Sequence, residues 1–148
     1  MALIKTHVAQ VIDNLPVFAT LDDAIDFFRE NIDTDKQDYA LEEIGKFPKG
    51  GEFLVTLIDH EEVEKHISTK VASVISSMDP EDAPIEEIME LLKLNNAYIR
   101  NLGISILRDF GTAIKYYIVK FLIGNDRDLR IFAINVWGML ILQNLGIC

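Results

Sequence analysis

With 148 residues the chain is long enough to bury a hydrophobic core without a metal ion or a disulfide. Its single cysteine, Cys148, excludes an internal disulfide. The sequence shows no signal-peptide pattern, and no apolar run approaches the roughly 18 residues that a membrane span needs. We therefore expect a cytoplasmic protein that does not enter a membrane. The formal net charge is −10, but residues 1–90 hold 21 acidic and 7 basic side chains and residues 91–148 hold 3 and 7, so the acidic part disfavours general binding to nucleic acids.

Apolar residues recur at helical spacing along almost the whole chain, and strand signals are nearly absent. In chain order, the pattern predicts helices over residues 4–15, 20–32, 36–47, 52–58, 61–78, 85–94, 97–110, 113–123 and 127–145. The prediction is therefore an all-α fold built from helices joined by short turns.

Local signals mark several of the predicted helix ends. The first helix ends before Pro16, because a residue that precedes proline disfavours the helical backbone. Thr20, with Asp23 three positions later, predicts an N-cap in an acidic variant of the capping box. Residues 48–51, Pro-Lys-Gly-Gly, predict a break between helices, and Pro84 suits the first position of the helix that follows it.

A period of 30 residues relates the last two pairs of predicted helices. The period places apolar on apolar, small on small and arginine on arginine: Leu91-Leu92 on Phe121-Leu122, Asn95-Asn96 on Asn125-Asp126, Ile99-Arg100 on Leu129-Arg130, and residues 102–104 and 106 on residues 132–134 and 136. The shared turn and the shared arginine are more specific than a common apolar rhythm, so the period indicates an internal structural repeat.

An apolar pair that ends one helix, an Asn/Asp turn, and an apolar-Arg step that opens the next helix together resemble the HEAT repeat, including its PBS-lyase-like variety. The resemblance implies a right-handed α-solenoid of about four helix pairs after an N-terminal helix. The whole chain, residues 1–148, would then be one repeat domain, with the clearest repeats over 85–111 and 113–145 and degenerate repeats over 20–47 and 50–78. The helix over 97–110 is apolar around too much of its circumference for a single buried stripe, which favours a position between stacked neighbours.

The same resemblance implies a protein-binding scaffold and not an enzyme, with the second helix of each pair lining the inner face. Five polar residues would form a small basic wall on that face: Arg100, Asn101, Arg108, Arg127 and Asn135. The partner would be a protein or peptide, and an acidic one suits the positive charge. The aromatic residues to consider as binding hot spots are Tyr98, Tyr116 and Trp137. An ordinary solvated surface is the alternative interpretation of the wall.

Arg100 and Arg130 also have a structural interpretation. In HEAT-like proteins the repeated arginine pairs with acidic or Asn side chains of the turns and forms a ladder along the stack. Asn96 and Asp126 stand four residues before Arg100 and Arg130, so the sequence offers a side-chain partner for each arginine. We therefore expect these four residues to form the ladder.

No catalytic, cofactor or metal site is expected. His60 and His66 flank an acidic run, but histidines six residues apart do not share a helix face as zinc ligands do, so an exposed charged surface is expected there. The alternative function is a bilin-lyase-like enzyme or lyase subunit, since bilin lyases resemble this repeat family. A purified sample without visible absorbance would weigh against that alternative. DNA binding, known for some HEAT-like repair proteins, is disfavoured because the basic part has few cations.

The C-terminal segment breaks the repeat pattern around Trp137. Residues 131–148 contain no charged side chain, although the end of a stacked array needs a polar cap. We therefore expect the segment to be a truncated or frameshifted end of a longer array. We also expect its apolar surface to be covered by self-association, as a homodimer through the last helix.

Overall fold

The computed structural model of the chain describes residues 15–59 and 65–146. Every regular element in these two ranges is a helix: α1 (Leu21–Glu30), α2 (Gln37–Gly45), α3 (Gly50–Asp59), α4 (Lys65–Ser76), α5 (Ile85–Leu91), α6 (Ala97–Phe110), a 3-10 turn (Gly111–Ile114), α7 (Lys115–Leu122) and α8 (Arg127–Asn144). Across the same two ranges, no helix is both long and apolar enough to cross a bilayer. The all-α prediction is confirmed for the described part of the chain.

Most predicted helix positions agree with these elements. Thr20 is the N-cap of α1, and its hydroxyl oxygen accepts a hydrogen bond from the Asp23 backbone N–H at 3.2 Å. Helix α6 has the predicted bounds. The predicted helix over residues 113–123 corresponds to α7, which begins two residues later because a 3-10 turn follows Gly111, whose positive φ of 59° ends α6. The predicted helix over residues 4–15 lies outside the described residues.

Gly50 and Gly51 were predicted to lie in the break between two helices, and that prediction is wrong. Both residues are buried and open α3, whereas residues 46–49 form the turn. A Cβ on Gly50 would lie only 1.8 Å from the carbonyl oxygen of Ile44, and one on Gly51 would lie 2.7 Å from the Pro84 ring. The glycines are therefore needed because the Ile44 backbone approaches Gly50 and the Pro84 ring approaches Gly51, and not because the chain must break.

The helices pack as consecutive pairs, α1 with α2, α3 with α4, α5 with α6 and α7 with α8. We call α1, α3, α5 and α7 the first helices and α2, α4, α6 and α8 the second helices. The second helices contact one another in chain order, α2 with α4, α4 with α6 and α6 with α8. Contacts of α2 with α3, α3 with α5 and α5 with α8 also join adjacent pairs.

One hydrophobic core runs between the first and the second helices. Each helix supplies at least one side chain that is almost fully buried, including Phe28, Leu41, Leu54, Ile75, Ile88, Ile106, Ile118 and Leu140. Full burial of a side chain of this size contributes about 1.5–3 kcal/mol to folding. The amphipathic pattern thus fixes which side of each helix faces the core, and the opposite sides of the second helices are left to carry a site.

Candidate protein-binding face

The turns that lead into α6 and α8 are built alike. The side-chain oxygen of Asn96 accepts a hydrogen bond from the Ile99 backbone N–H at 3.2 Å. The carboxylate of Asp126 accepts one from the Leu129 N–H at 3.1 Å. Both residues are therefore N-caps that satisfy a backbone donor in the first turn of a second helix.

Arg100 and Arg130 each bind back onto the turn before their helix. The Nη1 atom of Arg100 donates a hydrogen bond to the Leu94 carbonyl oxygen at 2.7 Å, and Nη1 of Arg130 donates one to the Gly124 carbonyl oxygen at 2.9 Å. The acceptor lies six residues before the arginine in both cases. Asn96 and Asp126 were expected to be the partners of the arginines, but their side chains cap the helices, and the arginines bind backbone carbonyl groups instead.

Asp126 also connects one turn to the next. The Lys93 ammonium group, in the turn between α5 and α6, lies 2.9 Å from the Asp126 carboxylate and donates a hydrogen bond to it. This bond lowers the pKa of Asp126 below its ordinary value, and the bond from the Leu129 N–H acts in the same direction. The same bond to Asp126 raises the pKa of Lys93. The ion pair thus joins the last two helix pairs at their turns.

The exposed polar residues of α6 lie on one side of that helix. Asn101, Ser105 and Arg108 are all exposed and are separated by four and three residues, which is the spacing of one helix face. Asn135 is exposed at the equivalent position of α8, thirty residues after Ser105, and Arg127 is exposed at the start of that helix. Four of the five predicted wall residues are therefore exposed, whereas Arg100 is half-buried and bound to its turn.

Side-chain contacts join neighbouring second helices. The Lys70 ammonium group of α4 lies 2.6 Å from the Glu42 carboxylate of α2, and the Ser76 hydroxyl donates a hydrogen bond of 3.1 Å to the Asp109 carboxylate of α6. The Gln143 side-chain amide of α8 donates a bond of 3.3 Å to the Arg108 carbonyl oxygen. The exposed sides of the four helices are therefore adjacent, and we call them the second-helix face: Asp38, Glu42, Thr69, Ser73, Asn101, Ser105, Arg108, Arg127 and Asn135.

The charge of the second-helix face changes along the chain. Asp38 and Glu42 make its α2 end acidic, α4 contributes the hydroxyl groups of Thr69 and Ser73 with Lys70, which pairs with Glu42, and α6 contributes Arg108 beside Asp109. The face is therefore acidic at its α2 end, whereas its other end carries Arg108 and Arg127, each next to an aspartate.

Several cations of the basic part are already engaged. Lys93 pairs with Asp126, the Lys120 ammonium group lies 3.5 Å from the Glu86 carboxylate, and the ammonium group of Lys115 lies 5.1 Å from the centre of the Tyr116 ring. Within residues 15–59 and 65–146, no carboxylate forms an ion pair with Arg108 or Arg127. These two arginines are thus the positive charges that the described structure leaves available on the face.

The three candidate aromatic hot spots do not come together on this face. The Tyr98 ring lies 5.4 Å from the Lys65 ammonium group, and its hydroxyl donates a hydrogen bond to the Lys65 carbonyl oxygen at 3.4 Å. Tyr116 is exposed on α7, which is a first helix, and Trp137 is half-buried on α8. Ser105, which the sequence analysis did not select, does lie on the face, and its alignment with Asn135 at 30 residues is the signal that could have identified it.

The acidic and histidine-containing segment is only partly described. His66 is exposed, and its Nε2 atom lies 3.8 Å from a carboxylate oxygen of Asp33, whereas residues 60–64 lie outside the described residues. Among the described residues, no group of three or more His, Cys, Asp or Glu side chains could hold a metal ion.

No protein-family model matches the chain, and no curated protein or solved structure matches it either. The residues and geometry of the second-helix face are thus the basis on which a function can be proposed.

Proposed function

We propose that the chain is a HEAT-like helical-repeat protein that binds another protein or a peptide through the second-helix face, and that it is not an enzyme. The order of helix contacts supports a stack of pairs, since each second helix contacts the second helix of the next pair. A right-handed α-solenoid is the arrangement that we propose for this stack.

The repeated turn geometry supports the same proposal. An N-cap residue, a capped N–H three positions later and an arginine that binds a carbonyl group six positions before it recur after 30 residues. Hydrogen bonds that coincide in this way are more specific than a shared apolar period, because each needs a particular residue type at a particular place.

The observation that carries the binding function is the continuity of the exposed second-helix face across all four pairs. The links Glu42–Lys70, Ser76–Asp109 and Gln143–Arg108 fix neighbouring helices side by side before any partner arrives. Binding to such a preformed surface avoids most of the entropy cost of ordering loops. A long, polar and rigid face suits recognition of an extended or helical segment of another protein.

An acidic segment is the partner that the charges favour. Arg108 and Arg127 can receive carboxylate groups in bidentate hydrogen bonds, and Asn101 can both donate and accept. The acidic α2 end repels such a segment, which favours its binding near Arg108 and Arg127.

Photo-crosslinking in cells of the source organism tests the location of the binding face. A benzophenone amino acid at Ser105 or Asn101 reports on the second-helix face, and one at Thr56 of α3 is the control, because Thr56 is exposed on a first helix. We expect one partner to be captured from the second-helix positions and not from Thr56. Capture from Thr56 alone would place binding on the first helices and contradict the proposal.

A charge-matched pair of variants then tests the chemistry of the captured partner. Arg108→Ala with Arg127→Ala removes two available positive charges from the face, and Lys36→Ala with Lys49→Ala removes two exposed charges elsewhere. We expect the first double variant to weaken binding at least about tenfold, as loss of arginine contacts commonly does. Equal effects of the two double variants would show only a net-charge effect and would contradict the assigned face.

A further inference from the structure

The last helix exposes an apolar stripe on the side opposite its buried residues. Leu129, Ala133, Val136 and Leu140 face the core, whereas five large apolar side chains on the other side are between 44% and 64% exposed: Ile131, Ile134, Ile141, Leu142 and Leu145. Helix α7, which packs against α8, also exposes apolar side chains, namely Tyr116, Val119 and Ile123. We call the five side chains of α8 the apolar end face.

Comparison with the preceding pair shows that this exposure is specific to the end of the stack. Ile104 of α6, thirty residues before Ile134, is half-buried and packs on the core, and α6 is followed by α8. Asn101 is the polar counterpart of Ile131 at the same period. The last pair therefore exposes Ile134 at a position that a following helix pair would cover. It also exposes Ile131 at a position that is polar in the preceding pair.

The apolar end face is large enough to supply the centre of a protein interface. If a large side chain offers about 200 Å² when fully exposed, the five exposed fractions amount to roughly 500 Å². Each partner of a stable complex of standard size buries about 800 Å², so the stripe would supply more than half of such an interface. Patches of this size on a soluble protein commonly mark an interaction site.

The charge at the other end of the described structure determines which occupant fits. The exposed side of α1 carries Asp22, Asp23, Asp26, Arg29 and Glu30. Head-to-tail stacking of two copies would bury these charges against apolar side chains, which costs several kcal/mol for each unpaired charge. Contact between two apolar end faces avoids that cost.

We propose that two copies of the chain associate through their apolar end faces about a two-fold axis, with the two α8 helices antiparallel and crossing at Gly138. This contact is additional to the binding function proposed above; it uses the same side of α8 as Arg127 and Asn135, and it leaves the exposed sides of α2, α4 and α6 for the partner. An antiparallel crossing at Gly138 pairs residue 131 with 145 and residue 134 with 142, so Ile131 meets Leu145 and Ile134 meets Leu142. The stripe thus meets itself apolar against apolar at these two pairs, whereas Ile141 meets the polar side chain of Asn135.

Gly138 and a neighbouring pocket give the two α8 helices complementary shapes. A Cβ at Gly138 would meet nothing within 4 Å, so the middle of the stripe has no side chain and allows two helices to approach closely. An open pocket of about 230 Å³ between the 3-10 turn and α8 is lined by Trp137, Ile141 and Leu145 among others, and it can receive an aliphatic side chain from the second copy. Arg127 lies beyond the paired region and stays at the rim.

Light scattering after size-exclusion chromatography, from micromolar to submillimolar protein, tests the proposal on the full chain. We expect twice the chain mass at the higher concentrations. Trp137 is the only tryptophan, so its emission should shift to shorter wavelength as the dimer forms. A monomer at every concentration would overturn the proposal, and so would masses that grow steadily beyond the dimer.

Ile134→Asp and Val17→Asp form the matched test of location. Both side chains are well exposed; Ile134 belongs to the α8 stripe, and Val17 belongs to the segment before α1. Because a two-fold interface contains each substitution twice, Ile134→Asp should raise the dimer dissociation constant at least about a hundredfold. Val17→Asp should leave it unchanged. Loss of the dimer in Val17→Asp with retention in Ile134→Asp would overturn the assignment.

Gly138→Gln separates the interface from the folding of the monomer. Glutamine favours helix more than glycine does, and open space surrounds this position, so the monomer should not lose helicity or melt earlier. A side chain at the crossing point should nevertheless weaken the dimer more than tenfold. Undiminished dimerisation of this variant would overturn the crossing at Gly138. A monomeric chain whose Asn101 still crosslinks to a partner would refute the dimer and leave the proposed function intact.

Discussion

Arg100 and Arg130 show how one residue type can hold a turn against a helix. Each side chain is half-buried, and each binds a carbonyl group that the turn would otherwise leave to solvent. A hydrogen bond that involves a charged donor contributes more than a neutral one, and its loss leaves a carbonyl group without its partner. Among the described residues, no hydrogen bond or ion pair involves the Arg108 side chain, and only its carbonyl oxygen accepts a bond.

Replacement of the two arginines should therefore have unequal effects. Arg130→Ala should lower the free energy of unfolding by roughly 1–2 kcal/mol, because the bond to the Gly124 carbonyl group is lost. Arg108→Ala should change it by less than about 0.5 kcal/mol, as expected for an exposed residue. Urea denaturation followed by circular dichroism measures both values. If both variants had equal and negligible effects, the hydrogen bond of Arg130 would not contribute measurably to stability.

Asp126 makes part of the stability depend on pH. Its pKa is lowered in the folded chain, chiefly by the bond from Lys93, so this contribution is present above the unfolded pKa and is lost as the pH falls through the lower folded pKa. Asp126→Asn keeps an oxygen that can cap α8 but loses the ion pair. The variant should melt below the wild-type chain at neutral pH, and the gap should close in acid.

Asp128→Asn is the control for this pH experiment. It removes one negative charge two residues away, from an exposed side chain that forms no ion pair within the described part of the chain. Its melting temperature should lie closer to that of the wild-type chain, because only the interaction of its charge with the start of α8 is lost. A constant gap for Asp126→Asn, or an equal change in Asp128→Asn, would show that the ion pair with Lys93 is not the cause.

The sequence was more informative about residue types in the turns than about their partners. Thr20 was predicted as a cap and is one, and the equivalence of Arg100 with Arg130 follows directly from the period. The bond partners of the arginines could not be derived, because they depend on the path of the turn backbone, which presents carbonyl groups where side chains were expected.

At the scale of the helix, Gly50 shows why a break signal can be misread. A Pro-Lys-Gly-Gly segment commonly ends or interrupts a helix, yet here the two glycines open α3 against the end of α2. The lack of a Cβ is required by the Ile44 carbonyl group, which is a tertiary contact. Local sequence carries no information on such a contact, so the boundary was displaced by two residues.

Gly50→Ala should therefore destabilise the chain, although alanine favours helix over glycine by about 1 kcal/mol. We expect a loss of about 1–3 kcal/mol, because the new Cβ forces the start of α3 away from Ile44. Gly138→Ala, in open space, is the control and should gain about 0.5–1 kcal/mol. Both changes are best measured in an Ile134→Asp background, so that self-association does not contribute. A gain from Gly50→Ala would contradict the close approach.

At the scale of the whole molecule, the helical content is the first property to measure. Far-ultraviolet circular dichroism should give more than half helix and almost no sheet, since every regular element in residues 15–59 and 65–146 is helical. A substantial strand signal would contradict both the fold and the proposed stack. This measurement also serves as the reference for each of the variants.

Helix pairing was predictable from the sequence, whereas the charge distribution of the surface was not. Short turns between amphipathic helices predict neighbours that pack antiparallel, and the pairs in residues 20–47 and 85–111 do pack together. The residue count, however, gives residues 91–148 an excess of positive charge to which Lys93 and Lys120 contribute. Both lysines are paired with carboxylates of neighbouring elements, so their charges are not available to a partner. Only packing reveals which cations are available.

The principal helix contacts join helices of the same pair or of adjacent pairs, and the bond from Lys93 to Asp126 spans only 33 residues. A nascent chain leaving the ribosome can thus complete each pair, and fasten it to the one before, without waiting for distant sequence. Low contact order of this kind is associated with rapid folding. Synthesis from the N-terminus would also expose the apolar end face last, which shortens the time in which this face could aggregate during synthesis.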